Sequence, residues 1–428
     1  MWVAWVTGCG GLAPSFTADG TDGPPSPALT PVDSADPEPS TAGTRPAAGH
    51  TATPIDADYG PEAWRPGPPP AGPADARSIL PLFGGFAGPP KWASADPEAF
   101  EGPGWLLLNG RTDPARGGSR FPVDEVVATF HHRNGSDQPL WVHLIATNPN
   151  PADVTVSARG RVITDQEEPL AGAGTGAAAR VAEAWLRSDL DETAGAIAQG
   201  RGLELARAAL PPQAWIDGRY EVTADQGVFL YTVVTASGAP SDAINGSQGA
   251  PAPGALAVAG PDAYGREAGV YAASGWSGDA TFALPPGDGW LAFCFNTDQK
   301  FPWAGVVQQD LTADAQMTLV DAAPETWGNR GHHLSLSLAV TNHTGRQRAV
   351  TLHLASQAAA AQHGGPFTWN APVLVDGDVV SAATTPAAPR ARLGTRTIEP
   401  GETAEISLEA YVPGDVTSGQ HLILSVAD

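Results

Sequence analysis

The chain has 428 residues, enough for two or three domains, with 42% apolar residues to fill their cores. Acidic residues outnumber basic ones, 46 against 23, and the net charge of −23 repels phosphate backbones, so nucleic acid is not an expected partner. The 50 Gly and 42 Pro lie well above average usage and imply a turn-rich chain with an unstructured stretch.

The chain opens MWVAWVTGCG. Val6-Thr7-Gly8-Cys9 resembles the lipobox of bacterial lipoproteins: an aliphatic residue, two small ones, then the cysteine that is lipidated and becomes the new N-terminus. No Lys or Arg precedes Cys9, and the apolar stretch Met1–Val6 is shorter than a usual signal core; a start further upstream would account for both. Cys9 is therefore the lipidation candidate, and residues 1–9 read as a signal remnant. A membrane, reached through that lipid, is the expected partner.

Residues 10–76 are dominated by Pro, Ala, Ser, Thr, Gly and Asp. Such a segment buries too little apolar surface to offset its ordering entropy, so a disordered tether is expected. No later run approaches the ~20 apolar residues of a membrane helix. With Cys9 lipidated, Cys294 in WLAFCFN is the only other cysteine and reads as a small buried hydrophobe.

Beyond the tether, apolar residues recur with period two. In LWVHLIATNPNPADVTV (140–156), Leu140, Val142 and Leu144 alternate with Trp141 and His143. The turn Asn148-Pro149-Asn150-Pro151 follows, then Val154 and Val156. LSLSLAVTNHTGRQRAVTLHL (334–354) has the same grammar, with Leu334, Leu336, Leu338 and Val340 before Asn342 and Val350, Leu352 and Leu354 after it. Each copy is expected to be a β-hairpin with one face in a core.

Residues 175–210 are Ala-, Leu- and Glu-rich, with Val181, Ala184, Trp185 and Leu186 on one stripe. One or two short helices are expected there, interrupted near Gly195, Gly200 and Gly202. Val228 to Val234 is apolar on both faces, as in a central strand. Residues 238–263 have linker composition. In IEPGETAEISLEAYV (398–412), Pro400-Gly401 forms the centre of a type II turn.

These signals define an all-β fold class: two immunoglobulin-like antiparallel β-sandwich domains, 77–255 and 256–428, with a helical insertion at 175–210 in the first. One larger sandwich with repeated strand grammar is the alternative.

The stretch GRTDPARGGSRFPVDEVVATFHHRNGSDQPLWVHLIATNPNPADVTVSARG resembles an uncharacterised bacterial family best represented in cyanobacterial secreted and envelope proteins. Arg120-Phe121, His131-His132 and the strand–Asn–turn–strand unit carry the likeness. YGREAGVY (264–271), residues 329–354 and the final GQHLILSVAD continue it in order. The resemblance implies an exported β-rich protein and assigns no catalytic or binding residue.

Chemistry-bearing patterns are sparse. Neighbours on a strand point to opposite faces, so His131-His132 and His332-His333 do not chelate one metal. No zinc, EF-hand, P-loop or Gly-x-Ser-x-Gly signature occurs; Ser274 and Ser277 have the wrong spacing, and Asp189, Asp191 and Glu192 read as a solvated acidic face. No cofactor is expected. Among the 13 Trp, Trp276, Trp290, Trp303, Trp327 and Trp369 lie near turns and are the candidate ligand contacts, with sugar rings as the ligand.

The expected function is therefore a lipid-anchored, non-catalytic protein of adhesion or scaffolding in the bacterial cell envelope, contacting polysaccharide or another envelope protein. The alternative is a glycan-binding or glycan-active sandwich.

Overall fold

The computed structural model describes residues 57–428, except 96–97, 115, 167–175, 255–266, 298–310, 327, 358–367, 415, 417–418 and 428. Cys9, residues 10–56 of the expected tether, Trp303, Trp327 and the expected boundary at 255/256 lie outside the described residues.

Four short strands come first: β1 (Ala57–Tyr59), β2 (Arg65–Pro66), β3 (Ile79–Leu80) and β4 (Gly85–Ala87). Then follow β5 (Lys91–Ser94), β6 (Ala99–Phe100), β7 (Gly104–Leu108), β8 (Val123–Asn134), β9 (Leu140–Thr147) and β10 (Val154–Asp165). Helix α1 (Ala177–Leu186) precedes β11 (Asp191–Ile197), β12 (Gly202–Leu210), β13 (Trp215–Thr235) and helix α2 (Pro240–Ser247). The remaining strands begin with β14 (Ala268–Tyr271), β15 (Gly275–Ala283), β16 (Gly289–Asn296), β17 (Ala315–Thr318) and β18 (His333–Thr341). The chain closes with β19 (Arg348–Ser356), β20 (Val373–Val375), β21 (Asp378–Val380), β22 (Arg390–Ile398), β23 (Thr403–Tyr411) and β24 (Gln420–Ala427).

The body is all-β, built as sheets packed face to face around two apolar cores. The first core lies between the sheet β11-β10-β13-β8-β5-β14-β17 and strands β12, β9, β13 and β7. The second lies between β1-β15-β18-β23-β20-β21 and β2-β16-β24-β19-β22. Strand faces follow the alternation: Leu334, Leu336, Leu338 and Val340 are buried, and Ser335, Ser337 and Ala339 are less so.

Strand β13 serves both sheets of the first core. Residues up to Ala224 pair with β10 and up to Thr223 with β8, the β8 register shifts between Thr223 and Val228, and the chain then pairs with β9 from Phe229 and with β7 from Tyr231. Its second half is buried from Val228 to Thr235, as the two-faced apolar run implied.

Several expectations are corrected. Residues 57–76 of the expected tether belong to the body: Tyr59 stacks on Phe282 at 5.1 Å, Trp64 is buried, and β1 and β2 pair with β15 and β16. Aromatic anchors inside a Pro-rich stretch supply the apolar burial that composition alone did not show. Helix occupies only Ala177–Leu186; Asp191–Leu210 forms two strands, with Gly200 at φ +66° in the connection between them. Pairing along the edges of β10 and β9 outweighs the helical preference of its Ala and Leu residues. The linker-like stretch after Gly238 contains α2, whose Ala243 is buried.

The two expected hairpins are also corrected. β9 pairs with β12 and β13, whereas β10 pairs with β11 and β13. β18 pairs with β15 and β23, whereas β19 pairs with β22 and β24. Both turns are thus arches that carry the chain from one sheet across a core to the other. Period-two patterning specifies a strand and its inward face, not its hydrogen-bonded neighbour.

The shared Thr-Asn explains the repetition. Asn148 is buried, and its Nδ2 donates to Ala152 O and Ile197 O, both at 2.7 Å. Its backbone N–H donates to Arg201 O, and its carbonyl accepts from Gly200 N. Asn342 does the same with Arg346 O (2.8 Å), Ile398 O (2.9 Å), Glu402 O and Gly401 N. Asn134 is a third copy, bonded to Gln138 O, Leu210 O, Ala214 O and Gln213 N. In all three the facing residue, Gly200, Gly401 or Gln213, has positive φ. Each asparagine staples its own arch to a second arch that crosses beside it.

Candidate functional site

The strongest concentration of buried ionisable groups lies at the seam between the two cores. Lys91 of β5 is fully buried, and its Nζ lies 2.5 Å from Glu267 Oε2 and donates to Arg330 O at 2.5 Å. Burial lowers the pKa of Lys91 and raises that of Glu267, while each charge opposes the discharge of the other. At 2.5 Å and with the carbonyl as a further partner, the charged pair is favoured over two isolated neutral groups.

Arg219 of β13 stands beside this pair. Its guanidinium lies 5.0 Å from the Trp185 ring of α1 and 4.7 Å from the Tyr411 ring of β23, and Nη1 donates to Gly331 O. Residues from both halves thereby hold one cation. Burial lowers its pKa, against the pull of Tyr411 and Glu221.

His131 and Asp217 face the same seam, with Nδ1 and Oδ2 2.5 Å apart and the imidazole stacked on Trp215 at 5.2 Å. A Cβ at Gly414 would lie 2.7 Å from His131 Nδ1, so only glycine lets that turn come this close. His132 turns the other way and bonds Ser94 Oγ at 2.9 Å, as alternation requires. His332 is buried and its pKa is held well below the usual value by burial, then by Lys91 and Arg219. His333 stacks on Tyr411 at 4.5 Å and meets Glu409 Oε2 at 3.2 Å. Among the described residues no three His, Cys, Asp or Glu side chains form a metal-binding group.

A cavity of about 40 Å³ opens in the seam, lined by His131, Asp217, Arg219, Glu267, Arg330 and Tyr411, with Val181 and Ala182 of α1 beside them. A second buried ion pair, Arg116–Asp321 at 3.0 Å, also joins segments far apart in sequence, and Arg116 Nη1 donates to Leu106 O.

The sequence candidates lie elsewhere. Trp276 and Trp369 are core residues, 1% and 0% exposed, with Nε1 donating to Phe83 O and Ala371 O. That burial leaves no ring face for a ligand. Trp290 is half-buried, with the Arg65 guanidinium 5.8 Å from its ring. Cys294 is buried, as expected. Asp191 and Glu192 pair across the strands with Arg161 and Arg159.

The seam residues escaped sequence reading because Lys91, Arg219 and Glu267 are widely separated. One signal was present: Lys91 is one of two lysines in the chain and sits in an apolar strand between Pro90 and Trp92.

No protein-family model matches the chain, and no curated protein matches it in sequence. Among solved structures, it is similar to the N-terminal CBM22-1-CBM22-2 tandem domain from Paenibacillus barcinonensis Xyn10C at 10% identity. That likeness covers 69% of this chain and 74% of the other, with a TM-score of 0.14. Lac15 from a marine microbial metagenome is similar at 11% identity, over 69% of this chain and 52% of that one, with a TM-score of 0.11. Likenesses at this level carry no functional argument.

Proposed function

We propose that this is an exported cell-envelope protein, lipid-anchored through Cys9, whose β-sandwich body is a non-catalytic unit of adhesion or scaffolding. The observation supporting a non-catalytic body is how the seam's ionisable groups are used. Lys91 pairs with Glu267 and His131 with Asp217, while Lys91 and Arg219, from the first half, donate to the Arg330 and Gly331 carbonyls of the second. Groups engaged in this way clamp the two cores together. A protein that transmits load or holds partners at fixed spacing benefits from that rigidity.

The address rests on Val6-Thr7-Gly8-Cys9 and on the composition that follows. Metabolic labelling with a palmitate analogue tests it. The native protein should carry label and fractionate with membranes, and Cys9→Ser should do neither. An unlabelled, wholly soluble native protein would defeat the proposal. The glycan-binding alternative retains the half-buried Trp290, and saturable binding on a glycan array that Trp290→Ala abolishes would favour it.

A further inference from the structure

The seam cavity contains two unanswered valences. Arg219 Nε and Glu267 Oε1 have no hydrogen-bond partner, although the two residues are only 5% and 1% exposed. Buried polar atoms are rarely left so, because each costs its full desolvation. Neither side chain is placed to turn elsewhere: Arg219 is held between two rings and on Gly331 O, and Glu267 is held by Lys91. Both residues line the same cavity.

The unmet needs are complementary. Arg219 offers a charged N–H donor, and Glu267 offers a charged acceptor. A simple anion would meet the Glu267 carboxylate and be repelled; a simple cation would meet Arg219, Lys91 and Arg330. The cavity has room for about three waters, so an occupant must be small. Tyr411, Phe130 and Val181 add apolar wall.

We propose that the seam cavity binds a small zwitterion, an α-amino acid of glycine or alanine size, its carboxylate on Arg219 and its ammonium on Glu267. The site lies between the two cores, and helix α1 forms part of its wall. Occupation therefore tightens the joint between them. The inference is independent of the lipid anchor.

Calorimetric titration and thermal shift on the full chain test it, using glycine, alanine, phenylalanine, acetate, methylamine and glycerol as probes. Glycine and alanine should give saturable heat and a raised melting temperature. Acetate and methylamine, each carrying half of the recognised pattern, should bind at least about tenfold more weakly, because each leaves a buried charge unanswered. Phenylalanine should not enter. Glu267→Gln, which keeps the side chain's shape, should cost glycine about tenfold and acetate little. Val181→Phe should fill the cavity and abolish glycine binding. The proposal is overturned if glycine gives neither heat nor thermal shift. It is also overturned if acetate binds as well as glycine, or if glycerol matches glycine, the behaviour of a cavity that holds only water.

Discussion

Asn148 and Asn342 do the same thing, one beside each core: each Nδ2 donates to the carbonyl of an isoleucine, Ile197 or Ile398, that ends the strand before a facing arch. The isoleucine carbonyls are buried, and a second bond from the same amide closes the asparagine's own arch.

Removing either amide leaves the buried isoleucine carbonyl unanswered and opens the asparagine's own arch. Asn148→Ala and Asn342→Ala should each lower unfolding stability by about 2–4 kcal/mol in urea titration, and Asn134→Ala should behave alike. Asp at these positions should be as damaging, because a carboxylate cannot donate. His343→Ala, one residue along and exposed, should change little.

Strand register is open to a charge test. Leu338 is fully buried, and Ser337 lies on the opposite, half-buried face. Leu338→Asp should cost about 4 kcal/mol or more, and Ser337→Asp under about 1. Leu144→Asp and Thr155→Asp should repeat the contrast in the first core. A severe Ser337→Asp would reverse the assigned faces.

The seam pair should behave as a unit. Lys91→Met strands the Glu267 charge and should cost about 3–5 kcal/mol. Adding Glu267→Leu should restore much of that loss, giving a strongly non-additive double-mutant cycle. Because Lys91, Arg219 and Tyr411 tie the cores together, differential scanning calorimetry of the native protein should show one cooperative transition. Two well-separated transitions would show the seam to be energetically minor.

Acid should weaken the protein through His421. Burial pushes its pKa down to about 3, and its Nε2 accepts the Ala74 N–H at 3.0 Å. The unfolded chain takes up this proton near pH 6.5 and the folded one only near pH 3. Between those values the unfolded state binds more protons, so stability falls as pH falls, by about 1.4 kcal/mol per pH unit. Above about pH 6.5 the contribution is constant. His353, pushed down to about 4 by burial and by Arg390 and Arg392, adds to the same slope. Urea midpoints across this range should decline in the native protein and less steeply in His421→Gln.

The N-terminal segment belongs to the second core. A chain beginning at residue 77 loses Trp64, the Tyr59–Phe282 stack and the Ala74–His421 bond. It should melt well below a chain beginning at residue 57, with at least about 3 kcal/mol lost. Equal melting temperatures would show β1 and β2 to be decoration.

What could be read in advance followed from local periodicity. Leu334, Leu336, Leu338 and Val340 announced both a strand and its buried face, and Val228 to Val234 announced a strand covered on both sides. Partners were another matter. An arch and a hairpin use the same Asn-rich turn, and only the third dimension separates β9 from β10. Asp191–Leu210 was misleading because its Ala and Leu residues favour helix when alone, yet pair along exposed strand edges in the fold. The seam was illegible for a related reason: Lys91, Arg219 and Glu267 come together only when β5, β13 and β14 line up in one sheet, and Arg330, Gly331 and Tyr411 reach them only from the second half.

Strand β13 has a consequence for the order of assembly. As the chain is synthesised, β8, β9 and β10 emerge well before Trp215–Thr235, the strand that all three require. Until it arrives they present apolar faces and unpaired edges to whatever is nearby, and a nascent chain in that state is prone to pair with its neighbours. Its many long-range pairings also place it among slow folders. A ribosome that pauses before residue 215 would prolong that exposure, whereas one that pauses after residue 235 lets β8, β9 and β10 pair with β13, leaving β14 and β17 to complete the sheet later.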